Sequence, residues 1–295
     1  MELIVVPFNS SGRADGVARM PATLLDAGLA DLLPQARVVE VEPVGDSESE
    51  PQRGPSGLLA EESLTGMVIS VAERVLEAWA ADRVPVVIGG DCPVLLGGLV
   101  AAERRNYDAG LVFVDGHEDA WDPRRSPTGE AADSEIALAL GWVEPPAGLA
   151  SVLPCLKSTA LLQLGPRDAA ELAAAGQPSI TDRVKMIAAE RLATPDGVEE
   201  GLRQAAELLT RHRHWWLHVD LDVLSTTALA AVDYPQPGGL NWDQLEQLTG
   251  KLLELGGCGG MSITIYNPEL DGGAAAGRVT EYVAGAARSL QAYAE

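Results

Sequence analysis

One rhythm constrains the fold of this chain more than any other feature. A short run of Val, Ile and Leu stops abruptly at a glycine or a polar residue, and a stretch of helical periodicity follows. The runs are "LIVVPF", "ARVVEVEPV", "VPVVIGGD", "GLVFVDGHED", "TALLQLGP", "RVKMIAAERL", "WWLHVDLDVL" and "GMSITIYNP". Near-continuous apolar runs read as strands buried on both faces, because a strand with one wet face would alternate. Between them, residues 63–82 carry Met67, Val68, Val71, Val75, Leu76 and Trp79 at helical spacing. Further helices are expected over 16–33, 94–104, 134–141, 195–211, 241–255 and 277–293. Strand alternating with helix gives an α/β fold with a mostly parallel sheet and helices on both faces. In such sheets ligands bind beyond the carboxyl ends of the strands.

The rhythm continues past the acidic loop "EPVGDSESEPQRGPSG" (42–57) and the proline loop "VEPPAGLASVLP", so residues 1–295 are expected to form a single domain. With 46% hydrophobic residues the chain can bury a large core. A formal net charge of −22 argues against nucleic acid or an anionic membrane as partner and favours a small, cationic substrate, although most of the acidity is expected on solvated surface. The cysteines, Cys92, Cys155 and Cys258, are odd in number and irregularly spaced, which reads as a reducing cytoplasm rather than a disulfide framework. The opening "MELIVVPFNSSGRADG" has no basic region ahead of its short apolar run, and no apolar stretch is long enough to span a bilayer. A cytoplasmic location is therefore expected.

The polar residues that end the apolar runs carry the chemistry. "LVFVDGHEDAW" supplies Asp115, His117 and Asp119 at i, i+2 and i+4, a spacing that an extended chain sends to one side. "WWLHVDLDVL" supplies Asp220 and Asp222 at i and i+2, and "VVIGGDC" places Cys92 just past its strand. Desolvated and unpaired, four carboxylates in one place would be very costly. Divalent cations are their natural partners, and the mixed donors suit Mn²⁺ or a similar borderline ion. Two such ions can share a water, lower its pKa and hold hydroxide for attack on a planar carbon. Alone, a D-x-D pair is common at loop edges and a buried cysteine is usually packing. Their joint occurrence at three strand ends selects the metal reading.

These motifs resemble the ureohydrolase superfamily of arginases, agmatinases and formimidoylglutamases. The family's G-G-D-H matches Gly89, Gly90, Asp91 and Cys92, with cysteine for histidine. Its D-A-H-x-D matches Asp115, Gly116, His117, Glu118 and Asp119, and its D-x-D matches Asp220 and Asp222. The segments "VPFNSSGRADGVARMPATLLDAGL", "GGLNWDQL" and "YNPELD" fall in the family's order, so the resemblance covers essentially the whole chain. It implies a three-layer α/β/α sandwich around a mostly parallel eight-stranded sheet, with two Mn²⁺ ions per chain. It further implies that Asp115 and Asp220 bridge both ions, that Cys92 and Asp119 complete one site, and that His117 and Asp222 complete the other. Because family members are often trimers or hexamers, the resemblance extends to a homo-oligomer.

The departures from the family bear on substrate and metal. A thiolate at Cys92 adds a negative charge, weakens the Lewis acidity of its ion and improves the competition of Zn²⁺ or Fe²⁺ with Mn²⁺. A branch that hydrolyses Nω-hydroxy-L-arginine is similar to this chain in carrying cysteine there. Arginases hold the guanidinium with a glutamate just before the late N-P motif; here Ile265 takes that place, between Thr264 and Tyr266. They also shuttle protons with a histidine, for which "SPTGEAADSEIA" offers Asp133 or Glu130 as general acid; otherwise Asp133 is a helix N-cap. Trp121 and Asp122 are expected to contact substrate, Trp121 as a pocket wall if it is not simply a packed surface aromatic. His218 reads as a core histidine, His212 and His214 as surface residues, and Cys155 and Cys258 as structural.

The function expected is hydrolysis of a C–N bond in a guanidino compound by a metal-bridging hydroxide. The substrate would be arginine, Nω-hydroxyarginine or a guanidino-capped metabolite. The alternatives are a formimidoyl or amide hydrolase on the same site and a catalytically silent relative. Nucleophilic chemistry at Cys92 ranks below them, because surrounding carboxylates disfavour a free thiolate.

Overall fold

The computed structural model describes residues 1–42 and 52–294, so most of the acidic loop expected at 42–57 lies outside the described residues. In chain order the strands and helices are β1 (Glu2–Val6), α1 (Met20–Asp26), α2 (Leu29–Leu32), β2 (Arg37–Glu40), α3 (Glu61–Ala80), β3 (Pro85–Gly89), α4 (Val94–Arg104), β4 (Gly110–Val114) and α5 (Glu135–Ala139). There follow β5 (Leu161–Leu164), α6 (Ala169–Ala175), β6 (Lys185–Ile187), α7 (Ala189–Leu192), α8 (Pro195–Leu209), β7 (Trp215–Asp220), α9 (Trp242–Leu253), β8 (Cys258–Thr264) and α10 (Ala276–Tyr293). Every strand falls on one of the apolar runs.

The strands form one eight-stranded sheet in the order β2-β1-β3-β8-β7-β4-β5-β6, and every pairing is parallel. Successive side chains leave a strand on opposite faces, and each face has its own core. Leu3 and Val5 of β1 belong to the core covered by α1, α2, α8, α9 and α10, whereas Ile4 and Val6 belong to the one covered by α3, α4 and α5. This is the expected three-layer α/β/α arrangement, with a sheet that is wholly parallel.

The helices depart from the pattern in particular places. The helix expected over 16–33 is a 3₁₀ turn (Gly16–Arg19) followed by α1 and α2, broken at Gly28, whose φ is +93°. An L side chain rarely adopts that conformation, so the glycine interrupts the periodicity. "RVKMIAAERL" is strand only over Lys185–Ile187 and then turns into α7, and the alanine-rich α6 carries too little apolar periodicity to be read from sequence. Among the described residues no helix is long and apolar enough to cross a membrane.

Helix α4 is the central wedge, buried along Val94–Ala102. A Cβ on Gly97 would lie 2.4 Å from Val71 Cγ1 of α3, and one on Gly98 2.7 Å from the Trp216 ring of β7. The glycine pair thus lets α4 press against both layers, and this fixes the position of Cys92 just ahead of it. G97V should therefore cost about 1–3 kcal/mol in a urea titration through overpacking. Gly285 of α10 has nothing within 4 Å of a new Cβ, so G285A should gain about 0.5–1 kcal/mol.

Candidate metal centre and active-site cleft

The candidate site is built from loops that leave the carboxyl ends of β3, β7 and β4. After β3, Gly90 passes so close beneath the N-terminal loop that a Cβ would meet the Phe8 carbonyl at 2.1 Å. Asp91 then ties two loops together, accepting from Ser10 N at 2.7 Å and Cys92 N at 3.1 Å. Burial nevertheless raises its carboxyl pKa to about 6. The Cys92 thiol points into the cluster, donating to Asp220 Oδ2 at 2.6 Å with Thr264 Oγ1 at 3.3 Å.

Asp115, His117 and Asp119 do come together, but not on one side of an extended strand. β4 ends at Val114, and the chain bends at once as Asp115 Oδ1 accepts from His117 N at 2.7 Å. Asp119 has φ +46°, in the left-handed region. After β7, Asp222 sits in a 3₁₀ turn (Leu221–Val223) whose cap is Asp220, Oδ1 of which accepts from Asp222 N at 2.7 Å. Turn geometry, rather than strand parity, aims these carboxylates.

A shared construction results. In Asp115, Asp220 and Asp222 one carboxylate oxygen shapes a loop and the other faces inward. Asp115 Oδ1 holds its turn while Oδ2 has no partner, and Asp220 Oδ1 caps its turn while Oδ2 meets Cys92. Asp222 Oδ1 accepts from Gly116 N at 3.0 Å while Oδ2 lies 2.9 Å from His117 Nδ1. Behind them the Arg167 guanidinium donates to the carbonyls of Asp222 (2.6 Å) and Leu224 (3.2 Å), locking the β7 loop in place.

Three overlapping groups of donors have their ligand atoms within 4.8 Å of one another: Cys92–Asp115–Asp119–Glu135, Cys92–Asp115–His218–Asp220, and Asp115–His117–Asp222. Asp115 belongs to all three. Asp115 Oδ2, His117 Nε2 and both oxygens of Glu135 are buried without hydrogen-bond partners outside the cluster. A thiol, an imidazole and several carboxylates, closely spaced and partly unsatisfied, make a donor set that fits divalent cations of borderline character.

The electrostatics agree. Burial, reinforced by neighbouring carboxylates, pushes Asp115, Asp119, Asp220 and Glu135 well above the usual carboxyl range. Burial and then Asp220 likewise raise the Cys92 thiol, so without a cation it is no nucleophilic thiolate. For His117 burial opposes the charged ring, yet Asp222 and Asp115 outweigh it and raise the pKa to about 10. His218 is a core residue as expected. It stacks on Phe113, approaches Ser262 Oγ at 2.7 Å and is held neutral by burial, with a pKa lowered to about 3.

Above the cluster opens a cleft of about 800 Å³. Trp121 and Ile265 line it, only 8% and 6% exposed, so Trp121 is not a surface aromatic. Ile265 has φ +63°, an outlier for a β-branched residue, and its N–H is anchored to the Gly90 carbonyl at 2.9 Å. Glu130 lines the cleft and accepts from Tyr234 Oη at 3.1 Å; burial and then Asp91 raise its carboxyl pKa to about 7. Asp133 is no N-cap: its carboxylate accepts from the Ser126 and Thr128 hydroxyls and clamps that loop, while Ser134 occupies the N-cap position of α5 without a capping hydrogen bond. Asp122 is absent from the cleft lining, because its carboxylate accepts from Arg124 N at 3.0 Å and starts the turn that follows. His212 is buried, with Nδ1 2.9 Å from the Asp108 carbonyl, while His214 stacks on Tyr107 at the surface.

The sequence reading did not pick out Glu135, Asp168 or Asp233. Glu135 is an isolated charge at the head of the apolar stretch "IALAL", a visible signal for a buried acid. Asp168 lies four residues past β5; its Oδ2 accepts from Glu118 N at 3.1 Å, Oδ1 is free, and burial raises its pKa to about 6. Asp233 lines the cleft and accepts from Asn267 Nδ2 at 2.7 Å, a pairing no local pattern announces.

The sequence profile of the Arginase family matches residues 1–289. The chain belongs to the arginase family. Human Arginase-1 is 25% identical over 280 residues, covering 91% of this chain and 85% of that one. Among solved structures, Entamoeba histolytica arginase in complex with L-ornithine superposes with a TM-score of 0.82 at 20% identity, covering 98% and 97% of the two chains. Bacillus caldovelox arginase superposes with a TM-score of 0.80 at 23% identity, covering 98% and 96%. Members of the arginase family are binuclear-metal hydrolases of guanidino compounds, usually with Mn²⁺, and this member presents a cluster suited to such ions.

The raised carboxyls give this arginase-family chain a stability signature. Each holds its proton to higher pH when folded than when unfolded. Its contribution is complete below about pH 4 and is lost as pH rises through the folded value, about 6 for Asp91 and Asp168. His117, raised to about 10, acts in the same direction at higher pH. In EDTA the melting temperature should therefore fall from pH 5 to pH 8, and saturating Mn²⁺ should remove most of that fall. Differential scanning fluorimetry across the pH series measures both.

Proposed function

We propose that this chain hydrolyses a C–N bond of a guanidino compound, releasing urea or a substituted urea and an amine. The observation that carries the reading is the convergence of Cys92, Asp115, His117, Asp119, Asp220 and Asp222 beneath one cleft. In this reading Cys92 and Asp119 would hold one divalent ion and His117 and Asp222 the other, with Asp115 and Asp220 as ligands common to both sites. When bound, the two ions supply water of lowered pKa and positive charge facing the negative charge that develops on the substrate.

The remaining steps belong to the chain's own residues. Trp121 forms the wall against which the planar group lies, and Ile265 offers it an apolar contact where arginases place a glutamate. Glu130 donates the proton to the departing amine, its carboxyl poised near 7 and oriented by Tyr234. Asp133, committed to two loop hydroxyls, keeps Glu130 in place. Asp15, Asp168, Glu171 and Asp233 add negative charge around the cleft, whereas the one lysine or arginine lining it among the described residues, Arg13, is turned towards Asp15 at 3.4 Å. That balance favours a guanidine whose far end is an amine or neutral over a free amino acid, whose carboxylate would find no cation to itself.

Product mass spectrometry with Mn²⁺-loaded protein tests the reading on arginine, Nω-hydroxyarginine, agmatine, a long-chain guanidine and formimidoylglutamate. Loss of an amidine unit from a guanidine is expected, with amine-terminated substrates ahead of arginine in kcat/KM, and a Cys92→Ala, Asp119→Ala double variant should abolish it. Turnover of formimidoylglutamate alone would favour the second reading, for which Ile265 in place of a carboxylate is the supporting observation. No turnover of any substrate would leave a silent relative. Because the general acid must be protonated, kcat should fall as pH rises through about 7. Glu130→Gln should lower kcat about 10²-fold and flatten that limb.

A further inference from the structure

Glu135 is the most conspicuous buried group that the proposed ligand set leaves unused. It is fully buried at the head of α5, and neither carboxylate oxygen has a hydrogen-bond partner outside the cluster. Among the described residues it forms no ion pair. Its ligand atom lies within 4.8 Å of those of Cys92, Asp115 and Asp119. Its position is imposed by backbone: Ile136 N donates to the Asp119 carbonyl at 3.0 Å, and Trp121 N donates to the Asp133 carbonyl at 2.9 Å. Those two bonds strap residues 133–136 alongside 119–121, so Glu135 and Asp119 enter the cluster together. An acid held in this way, fully buried among like charges and with another acid, Asp119, as its hydrogen-bonding neighbour, is explained by a cation.

We propose that Glu135 is a direct ligand of the ion held by Cys92 and Asp119, a donor additional to the six of the proposed centre. The proposal rests on the binuclear reading above. Its consequence is a choice of metal. Thiolate ligation alone would draw the site towards Zn²⁺, which prefers few donors in tetrahedral array. A further hard carboxylate on the same ion raises the number of oxygen donors and shifts preference back to ions that accept higher coordination, such as Mn²⁺. In this chain cysteine and glutamate act as a pair, one softening the site and the other restoring its hardness.

The test uses metal-stripped full-length wild type, Glu135→Gln and Glu135→Ala, with circular dichroism to establish folding. Mn²⁺ and Zn²⁺ affinities come from competition with a chromophoric chelator, and Co²⁺ absorption reports coordination. For wild type, two ions per chain and a thiolate-to-Co²⁺ charge-transfer band are expected. In Glu135→Ala, Mn²⁺ affinity at one of the two sites should fall at least tenfold and Zn²⁺ affinity much less. The Co²⁺ ligand-field bands should change in shape and intensity while the thiolate band persists. Glu135→Gln should melt at a higher temperature than wild type when both are metal-free at pH 8, because one of several crowded carboxylates has gone. A Co²⁺ spectrum superimposable on wild type, or equal losses for both metals, would overturn the proposal and leave Glu135 a positioning residue. Wild type that binds no divalent ion would overturn the binuclear reading itself.

Discussion

The repulsion among buried carboxylates is the constraint around which this molecule is organised. Asp115, Asp119, Glu135, Asp220 and Asp222 are all at most 8% exposed and converge within a few ångströms. A packed interior cannot hold that much like charge without protons or cations. The chain keeps the arrangement in register by dividing the labour of three of these carboxylates, Asp115, Asp220 and Asp222. One oxygen accepts a backbone N–H and fixes a loop, and the other is left facing the cluster. The cost falls at the sheet's rim, while the two apolar cores that hold the strands lie below it and contain none of these charges.

Topology decides which loops share that rim. The chain lays down β1 to β3 on one side and β4 to β6 on the other, leaving a gap between β3 and β4. The last two strands then fill it, giving the central order β3-β8-β7-β4. Cys92 from the β3 loop, Asp220 and Asp222 from β7, and Asp115 from β4 become neighbours only when β7 and β8 are inserted. Ile265 and Thr264, at the end of β8, reach the same centre by that insertion. The site therefore depends on contacts between residues more than a hundred positions apart, such as Cys92 with Asp220 at 2.6 Å.

The cleft extends the electrostatic argument from metal to substrate. The cluster below needs cations, and the walls above, through Asp168, Glu171 and Asp233, also favour positive charge. A cationic guanidine complements both. Glu130, the proposed general acid, stands apart from the cluster and accepts from Tyr234.

Some of this was determined by the sequence alone. Buried parallel strands need unbroken apolar runs, so all eight strands, the layered class and the motif acids at their ends could be read locally. Individual ligand types could be read as well, because carboxylate, imidazole and thiol declare their chemistry wherever they stand. Only the tertiary structure decided how they are aimed. The bend after Asp115, the left-handed Asp119 and the 3₁₀ turn at Asp222 replace the extended geometry that their spacing suggested. It also decided that Asp122 and Asp133 spend their carboxylates on loops, that His212 is buried, and that Glu135, Asp168 and Asp233 join the site. The physical reason is the same in each case. A side chain's burial and partners are set by segments distant in sequence, whereas periodicity reports only which face of its own element a residue occupies.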